Sequence, residues 1–332
     1  MTIIYPRATY TKRQEWGMDV IFIKPVFGSS FIQSWYCERW DLIRWNQELT
    51  MIKDAGINEV ILQCIIDNSL TSKYAYYQSS IVGFTSNSVD ILENALVAAD
   101  HIGMKIRVGT GYNSDWWSKC ANDVTWLITE SNFNKAVVAE VTAKYSKHVS
   151  FCGWYIPYEV SNLTSTSFTK QRRLNNFFKS IATEMKLRTP ALTVMVSPWY
   201  NSKYSLIASL SNWSTAVQNI FRGTGVDILA LQDSVGTGYN KTNQLAKIYS
   251  YTKKGTDLIG VKLYANAETF TSTSCGNIAS SQTRTSKQLA EAKPYVNGYV
   301  AFSVNHYQTM YSTDISKVQG YSDYLDYYLT HK

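Results

Sequence analysis

Apolar and polar positions alternate in blocks along the whole chain. Short runs rich in Val, Ile, Leu and aromatic residues are followed by longer segments whose apolar residues recur near a 3.6-residue period. The short runs predict eight strands: Asp19–Phe27, Glu59–Ile66, Lys105–Tyr112, Phe151–Val160, Leu192–Tyr200, Asp227–Ser234, Leu258–Ala265 and Tyr299–Asn305. The segments between them read as helices. Arg39–Ala55 carries Trp40, Ile43, Trp45, Leu49 and Ile52 at helical spacing, and Gly56 follows as a stop signal. Asp90–Ile102 opens on an acidic residue and closes at Gly103, whereas Ser286–Lys293 stops at Pro294. Asn132–His148, Thr169–Leu187 and Asn243–Lys254 have the same helical character.

Strands alternating with helices over this length imply βαβ units and a parallel sheet. Eight such units match the count of a (β/α)8 TIM barrel, with a doubly wound sheet as the rival. Polar residues gather after nearly every predicted strand. A barrel brings all of those ends to one mouth, whereas an open sheet needs them only at its switch point. No GxGxxG turn follows the first predicted strand, where a dinucleotide fold needs its phosphate loop. No linker or change of composition divides the chain. The expectation is therefore one α/β domain, with residues 1–17 as an N-terminal extension and residues 18–332 as the barrel.

Composition narrows the picture. Hydrophobic residues make up 45% of the 332 positions and charged residues only 17%, which suits a large core and excludes a disordered chain. Aromatics reach 14%, with 24 Tyr and 10 Trp, so much of the surface is built from uncharged polar and aromatic side chains. The net charge of +7 is a mild excess, and clusters such as Lys12-Arg13 and Lys253-Lys254 are too short for a nucleic-acid arm. No nucleic-acid partner is expected, although the sign is compatible with an anionic polysaccharide. No apolar run is long enough to span a membrane. Met1 to Gly17 lacks the apolar core of a signal peptide. Either the protein is not secreted by that route or the chain is a mature domain without its leader; the latter would place it outside the cell or on its surface. Of the five cysteines, Cys64 and Cys152 lie in apolar runs and read as core, while Cys37, Cys120 and Cys275 lie in polar surroundings.

The predicted strand tips carry the candidate chemistry. Glu159 ends the nearly uncharged run Phe151–Val160, where a carboxyl would face the mouth among aromatic walls. Such surroundings disfavour the charged form and suit a general acid. Glycoside hydrolysis needs a second carboxyl group. The candidates, in order, are Glu268 just past strand seven, Asp233 at the tip of strand six, and Asp67 beyond strand two. Trp35, Tyr112, Trp116, Trp117, Trp199 and Tyr200 are expected as stacking platforms for sugar rings, with Tyr264 at the tip of strand seven. Gln63, Gln232, Asn305 and Asp67 are expected to hydrogen-bond hydroxyl groups. His306 alternates with Asn305, so it reads as facing the helices. The four histidines are scattered and no HxH or HExxH occurs, so neither a metal nor another cofactor is expected. No GxSxG elbow or GxxxxGK[ST] loop is present.

These segments resemble a bacterial family of domains of unknown function with glycosidase-like TIM barrels. The similarity lies in Phe31-Ile32-Gln33, in Met51 to Ile57 with Val60 to Gln63, and in Gly111-Tyr112 with Trp116-Trp117. Gly153 to Asn162 is its most specific segment, followed by Ser197 to Tyr200 and Leu231 to Gly236. The family is in turn similar to retaining glycosidases with the acid/base on strand four and the nucleophile on strand seven. That resemblance implies Glu159 as acid/base and Glu268 as nucleophile. Where those enzymes carry Asn-Glu on strand four, this chain carries Tyr158-Glu159. The expectation is a glycoside hydrolase, with a catalytically inactive carbohydrate-binding barrel as the alternative and a lyase on anionic polymers as a weaker one.

Overall fold

The computed structural model describes residues 24–332. The predicted extension 1–17 and residues 19–23 of the first predicted strand lie outside them. Eight parallel strands close into a barrel. They are β1 (Ser29–Ile32), β2 (Glu59–Leu62), β3 (Lys105–Gly109), β4 (Phe151–Ile156), β5 (Thr193–Val196), β6 (Ile228–Gln232), β7 (Lys262–Glu268) and β8 (Tyr299–Phe302). Eight long helices alternate with them: α1 (Leu42–Asp54), α2 (Ile91–Ile102), α3 (Val124–Tyr145), α4 (Phe168–Arg188), α5 (Leu210–Phe221), α6 (Leu245–Asp257), α7 (Gln282–Ala292) and α8 (Ile315–His331). Each strand pairs with its sequence neighbours, and β1 closes the ring against β8. The expected (β/α)8 barrel is therefore the observed fold.

Local chemistry explains the element ends. Asp41 and Asp90 cap α1 and α2 by accepting from the backbone N–H of Arg44 and Glu93. Gly103 ends α2 in the left-handed conformation at φ 73°, which costs a glycine nothing. Side chains alternate along every strand. One set fills the barrel interior, with Phe31, Ile61, Tyr155, Met195, Ala230 and Val300 in a single inner cluster. The other set packs under the helices. At the N-terminal end, Arg107 pairs with Glu59 at 2.8 Å inside the barrel. Gly153 makes room for it, because a Cβ there would meet the guanidinium at 2.2 Å.

Two additions decorate the mouth. Ile66–Asp67, Tyr74–Ala75, Thr85–Ser86 and Gly111–Tyr112 form a small four-stranded sheet beyond β2 and β3. A hairpin of Phe270–Thr273 and Gly276–Ala279 follows β7. Among the described residues, no helix is long and apolar enough to cross a membrane.

Several predicted boundaries move. The first barrel strand is Ser29–Ile32, not Asp19–Phe27, and residues 24–28 are irregular. Ser29–Ile32 is buried on both faces, so it lacks the alternation that marks a half-exposed strand. Strand seven starts at Lys262, four residues later than predicted, because the exposed Leu258 belongs to the end of α6. Strand eight stops at Phe302, and Val304–Tyr307 turns into a short helix. Helix α3 begins at Val124 rather than Asn132.

Candidate active site

Glu159 lies on the inward-facing row of the segment continuing β4. Trp154, Ile156, Tyr158 and Val160 pack outward, so Tyr155, Pro157 and Glu159 point inward. The segment is pinned on both sides. The Trp116 indole N–H donates to the Glu159 carbonyl at 2.8 Å, and the Trp199 backbone N–H donates to the Val160 carbonyl at 2.9 Å. Tyr158 donates its hydroxyl to the buried Glu130 carboxylate at 2.5 Å. Glu130 also accepts from Asn68 and Asn113, both at 3.0 Å, so one carboxylate ties three loops of the mouth together. The Glu159 carboxyl keeps a solvent-facing side. Burial among its neighbours pushes its pKa up to about 7, against the hydrogen bonds of Gln232 and Trp199, which favour the charged form.

Glu268 is the last residue of β7 rather than a loop residue beyond it. Tyr264, Asn266 and Glu268 form the inner row of that strand. Glu268 Oε2 accepts the Thr237 backbone N–H at 2.8 Å and the Thr237 hydroxyl at 3.3 Å. The loop from β6 reaches this close because Gly236 has no Cβ; one would sit 2.3 Å from the Phe270 carbonyl and 3.0 Å from Glu268 Oε2. Burial, and then the charge of Asp233, hold the Glu268 carboxyl well above the usual carboxylate range.

Asp233 stands behind Glu268. Its Oδ1 accepts the backbone N–H groups of Val235 and Glu268, and its Oδ2 accepts from Gln288 on α7. Arg284 of α7 donates to the Glu268 carbonyl at 2.9 Å and, through Nε, to Gln288 at 3.1 Å. Burial raises the Asp233 pKa despite these partners. Asp233 does follow the end of β6, as expected, but it is 1% exposed and its carboxyl turns to α7 rather than into the cleft.

Glu159 joins two cavities at the C-terminal mouth. The first, about 280 Å³, is lined by Gln33, Trp35, Gln63, Asp67, Tyr112 and Glu159, with Cys64 and Tyr76 behind. Gln33 donates to Gln63 at 2.8 Å, and Asp67 Oδ1 is held by Ser69. The second, about 200 Å³, is lined by Glu159, Glu268, Trp199, Gln232, Thr237 and Tyr239. Trp117 lines both and donates its indole N–H to the Tyr112 hydroxyl at 2.8 Å. Trp199 and Tyr239 stack at 5.6 Å. Two carboxyl groups, amides and aromatic faces thus share one cleft.

The structure brings Trp35, Gln63, Asp67, Tyr112, Trp117, Trp199 and Gln232 into this cleft, as expected. Four other placements are corrected. Trp116 is fully buried against Tyr158 and Phe177 beneath the mouth. Tyr200 is buried and donates to the Ala208 carbonyl. Tyr264 lies in the barrel toward its N-terminal end, packed on Gly298, and burial followed by the charge of Glu59 raises its pKa. Asn305 is carried by the turn Val304–Tyr307 toward α1 and donates to Glu48 at 2.6 Å. His306 is buried against the short helical turn Ser34–Cys37. It accepts the Gln33 backbone N–H, stacks on Tyr36 at 4.1 Å and packs edge-on to Trp35. Burial drops its pKa to about 3, so it is a neutral, buried support behind Trp35. Cys64 faces the first cavity rather than the core, and all five cysteines are free. Tyr76, Thr237 and Tyr239 were not anticipated; the Gly236 and Gly238 pair was the available signal for a loop folded over the site. Among the described residues, no group of three or more His, Cys, Asp or Glu side chains is arranged to hold a metal.

The barrel is similar to several solved structures. A Bacteroides thetaiotaomicron protein described as a "putative alpha-L-fucosidase" matches with a TM-score of 0.78 and 22% identity, over 98% of this chain and 100% of the other. A beta-galactosidase from the psychrophilic Marinomonas ef1 matches with a TM-score of 0.58 and 10% identity, over 91% of this chain and 58% of the other. A GH18 chitinase from Pseudoalteromonas aurantia matches with a TM-score of 0.52 and 12% identity, over 92% and 99%. At these identities the likeness is one of fold. No curated protein sequence matches the chain. The profile of one family matches residues 27–313, nearly all of the barrel, and the chain belongs to that family, the domain of unknown function DUF4434.

Proposed function

We propose that this barrel is a glycoside hydrolase acting on a polysaccharide or glycoconjugate. Glu159 is the general acid/base and Glu268 the nucleophile. The observation that carries this reading is that β4 and β7 deliver two carboxyl groups to one aromatic-walled cavity at the barrel mouth. A pKa near 7 leaves Glu159 protonated in a useful fraction at neutral pH, as a group that must protonate a leaving oxygen requires. Glu268, when ionised, attacks the anomeric carbon as the glycosidic oxygen takes the Glu159 proton. Water then enters, gives a proton back to Glu159 and releases the sugar. The Thr237 N–H and hydroxyl orient Glu268 and favour its charged form. Asp233 and Asp67 are set aside as nucleophile candidates, the first turned to α7 and the second facing the other cavity.

The test is a screen of polysaccharides and aryl glycosides with the wild type, Glu159→Gln and Glu268→Gln. Each variant is expected to lose at least about a thousandfold in kcat. Anomeric configuration of the first product, read by NMR, decides retention. Retention goes with carboxyls about 5–5.5 Å apart and inversion with about 6.5–9.5 Å. Binding of a glycan without cleavage of any bond by the wild type would leave the non-catalytic recognition barrel instead.

A further inference from the structure

We infer that the two cavities are the two sides of the bond being cleaved, and that the glycan threaded through them is an uncharged chain. The assignment of sides rests on the hydrolase reading. Glu159 lines both cavities, and Glu268 lines only the smaller. A general acid must reach the oxygen between two sugars, whereas a nucleophile touches only the sugar it attacks. The smaller cavity, with Glu268, Thr237 and Tyr239, therefore takes the sugar that is attacked. The larger one, with Trp35, Asp67 and Tyr112, takes the leaving part of the chain.

Trp117 spans the junction. It lines both cavities, it is 56% exposed, and its indole N–H is fixed on Tyr112. It offers one continuous apolar face to sugars on both sides of the bond. Trp35, 57% exposed, extends this face outward and is braced edge-on by His306. Aromatic faces at both ends fit a chain of sugars better than a single one.

The charge of the lining selects among chains. Asp67 lines one cavity, Glu268 the other and Glu159 both; among the described residues, no Lys or Arg lines either. Even with Glu159 protonated for the reaction, Asp67 and the ionised Glu268 leave only acidic charge in the lining, and a partly enclosed cleft of one sign repels ligands of that sign. The remaining polar groups are amides and hydroxyls, the partners of sugar hydroxyls. Lys203, at the rim, lies over the Tyr239 ring rather than in the cleft. The net charge of +7 of the whole chain is thus not the charge met by substrate.

The experiment is rapid-mixing tryptophan fluorescence with the wild-type chain, read before turnover. The probes are cellohexaose, xylohexaose, mannohexaose, chitohexaose, the matching monosaccharides and hexagalacturonate. At least one neutral hexasaccharide should bind more than tenfold tighter than its monosaccharide and more than tenfold tighter than hexagalacturonate. Trp35→Ala, an exposed change that leaves the core intact, should weaken that hexasaccharide about tenfold and leave the monosaccharide unchanged. Hexagalacturonate binding as tightly as the best neutral chain overturns the inference. So does a monosaccharide binding as tightly as its hexamer, or no binding by any neutral hexamer. Prolonged incubation reads the hydrolase proposal separately. The binding pattern without cleavage sinks that proposal and the assignment of sides with it but leaves the uncharged chain as ligand, whereas cleavage with hexagalacturonate preferred overturns the uncharged chain and leaves the hydrolase.

Discussion

Asp233 Oδ1 accepts the backbone N–H of Glu268 at 3.3 Å, so the residue that holds the end of β7 in place is itself a buried carboxyl. Its charge opposes ionisation of the Glu268 side chain. Asp233 therefore acts on the site in two ways, by hydrogen bonding and by field.

Asp233→Asn separates them. The amide oxygen can keep the Val235 and Glu268 N–H bonds, but its NH2 then faces the Gln288 amide donor. A cost of about 1–3 kcal/mol in stability is expected from that mismatch. The electrostatic effect on Glu268 has the opposite sign: without the neighbouring charge, Glu268 ionises at lower pH. The limb of the kcat/KM profile set by Glu268 should move to lower pH. A variant profile that superimposes on the wild-type one rules out electrostatic control by Asp233.

Gly236→Ala tests how closely the β6 loop must approach Glu268. The new Cβ would lie 2.3 Å from the Phe270 carbonyl, so the loop has to move and Thr237 with it. Glu268 then loses its oriented donors. A fall in kcat of at least about tenfold is expected, the size of losing one positioned hydrogen bond to a reacting group. Gly238→Ala is the control. It has open space around it but φ 73°, so it should cost about 1 kcal/mol of stability and leave kcat alone. Equal losses of activity in both would show that Gly236 matters only for loop folding.

Glu130→Ala probes the support beneath Glu159. It removes the acceptor of Tyr158, Asn68 and Asn113 together. Leaving buried donors without partners should cost roughly 3 kcal/mol or more. Because Tyr158 precedes Glu159, kcat should fall more than KM rises. Phe at position 158 should reproduce part of the kcat loss with a smaller loss of stability, measured by denaturant unfolding. If Tyr158→Phe is fully active, the Glu130 contact braces the loops and not the acid.

The barrel was legible because short apolar runs alternate with helical segments and polar residues gather after nearly every run, and Glu159 stood out as the carboxyl near the end of the nearly uncharged run Phe151–Val160. Errors arose where a strand boundary slipped. Reading strand seven four residues early put Tyr264 at the mouth and Glu268 in a loop; the structure reverses both. The short helix Val304–Tyr307 turned Asn305 away from the mouth toward Glu48, and no periodicity marks a single turn of helix. Trp116 and Tyr200 follow strand ends as expected but point down, because neighbouring loops pack over them. Tyr76 and Tyr239 enter from loops whose path depends on contacts distant in the chain, which residue patterns do not encode.

Glu159→Gln should stabilise the fold in a pH-dependent way. The carboxyl pKa is raised in the folded protein from an ordinary 4.5 to about 7. A raised value means the folded state prefers the protonated form, so the wild type loses stability as pH rises from the ordinary carboxyl range through 7. Glutamine has no proton to lose and escapes that penalty. The two proteins should melt alike near pH 4, where the group is protonated both folded and unfolded, and should diverge up to about pH 8. At 1.36 kcal/mol per pKa unit, and discounted for the solvent-facing side of the carboxyl, the difference is on the order of 1–3 kcal/mol, or a few degrees in Tm. Under the proposed mechanism the same titration sets the alkaline side of activity, since Glu159 as the acid must hold a proton to release the leaving group. A Tm difference that stays flat from pH 4 to 8 would mean that Glu159 ionises at its ordinary pKa and is too well solvated to serve as the acid.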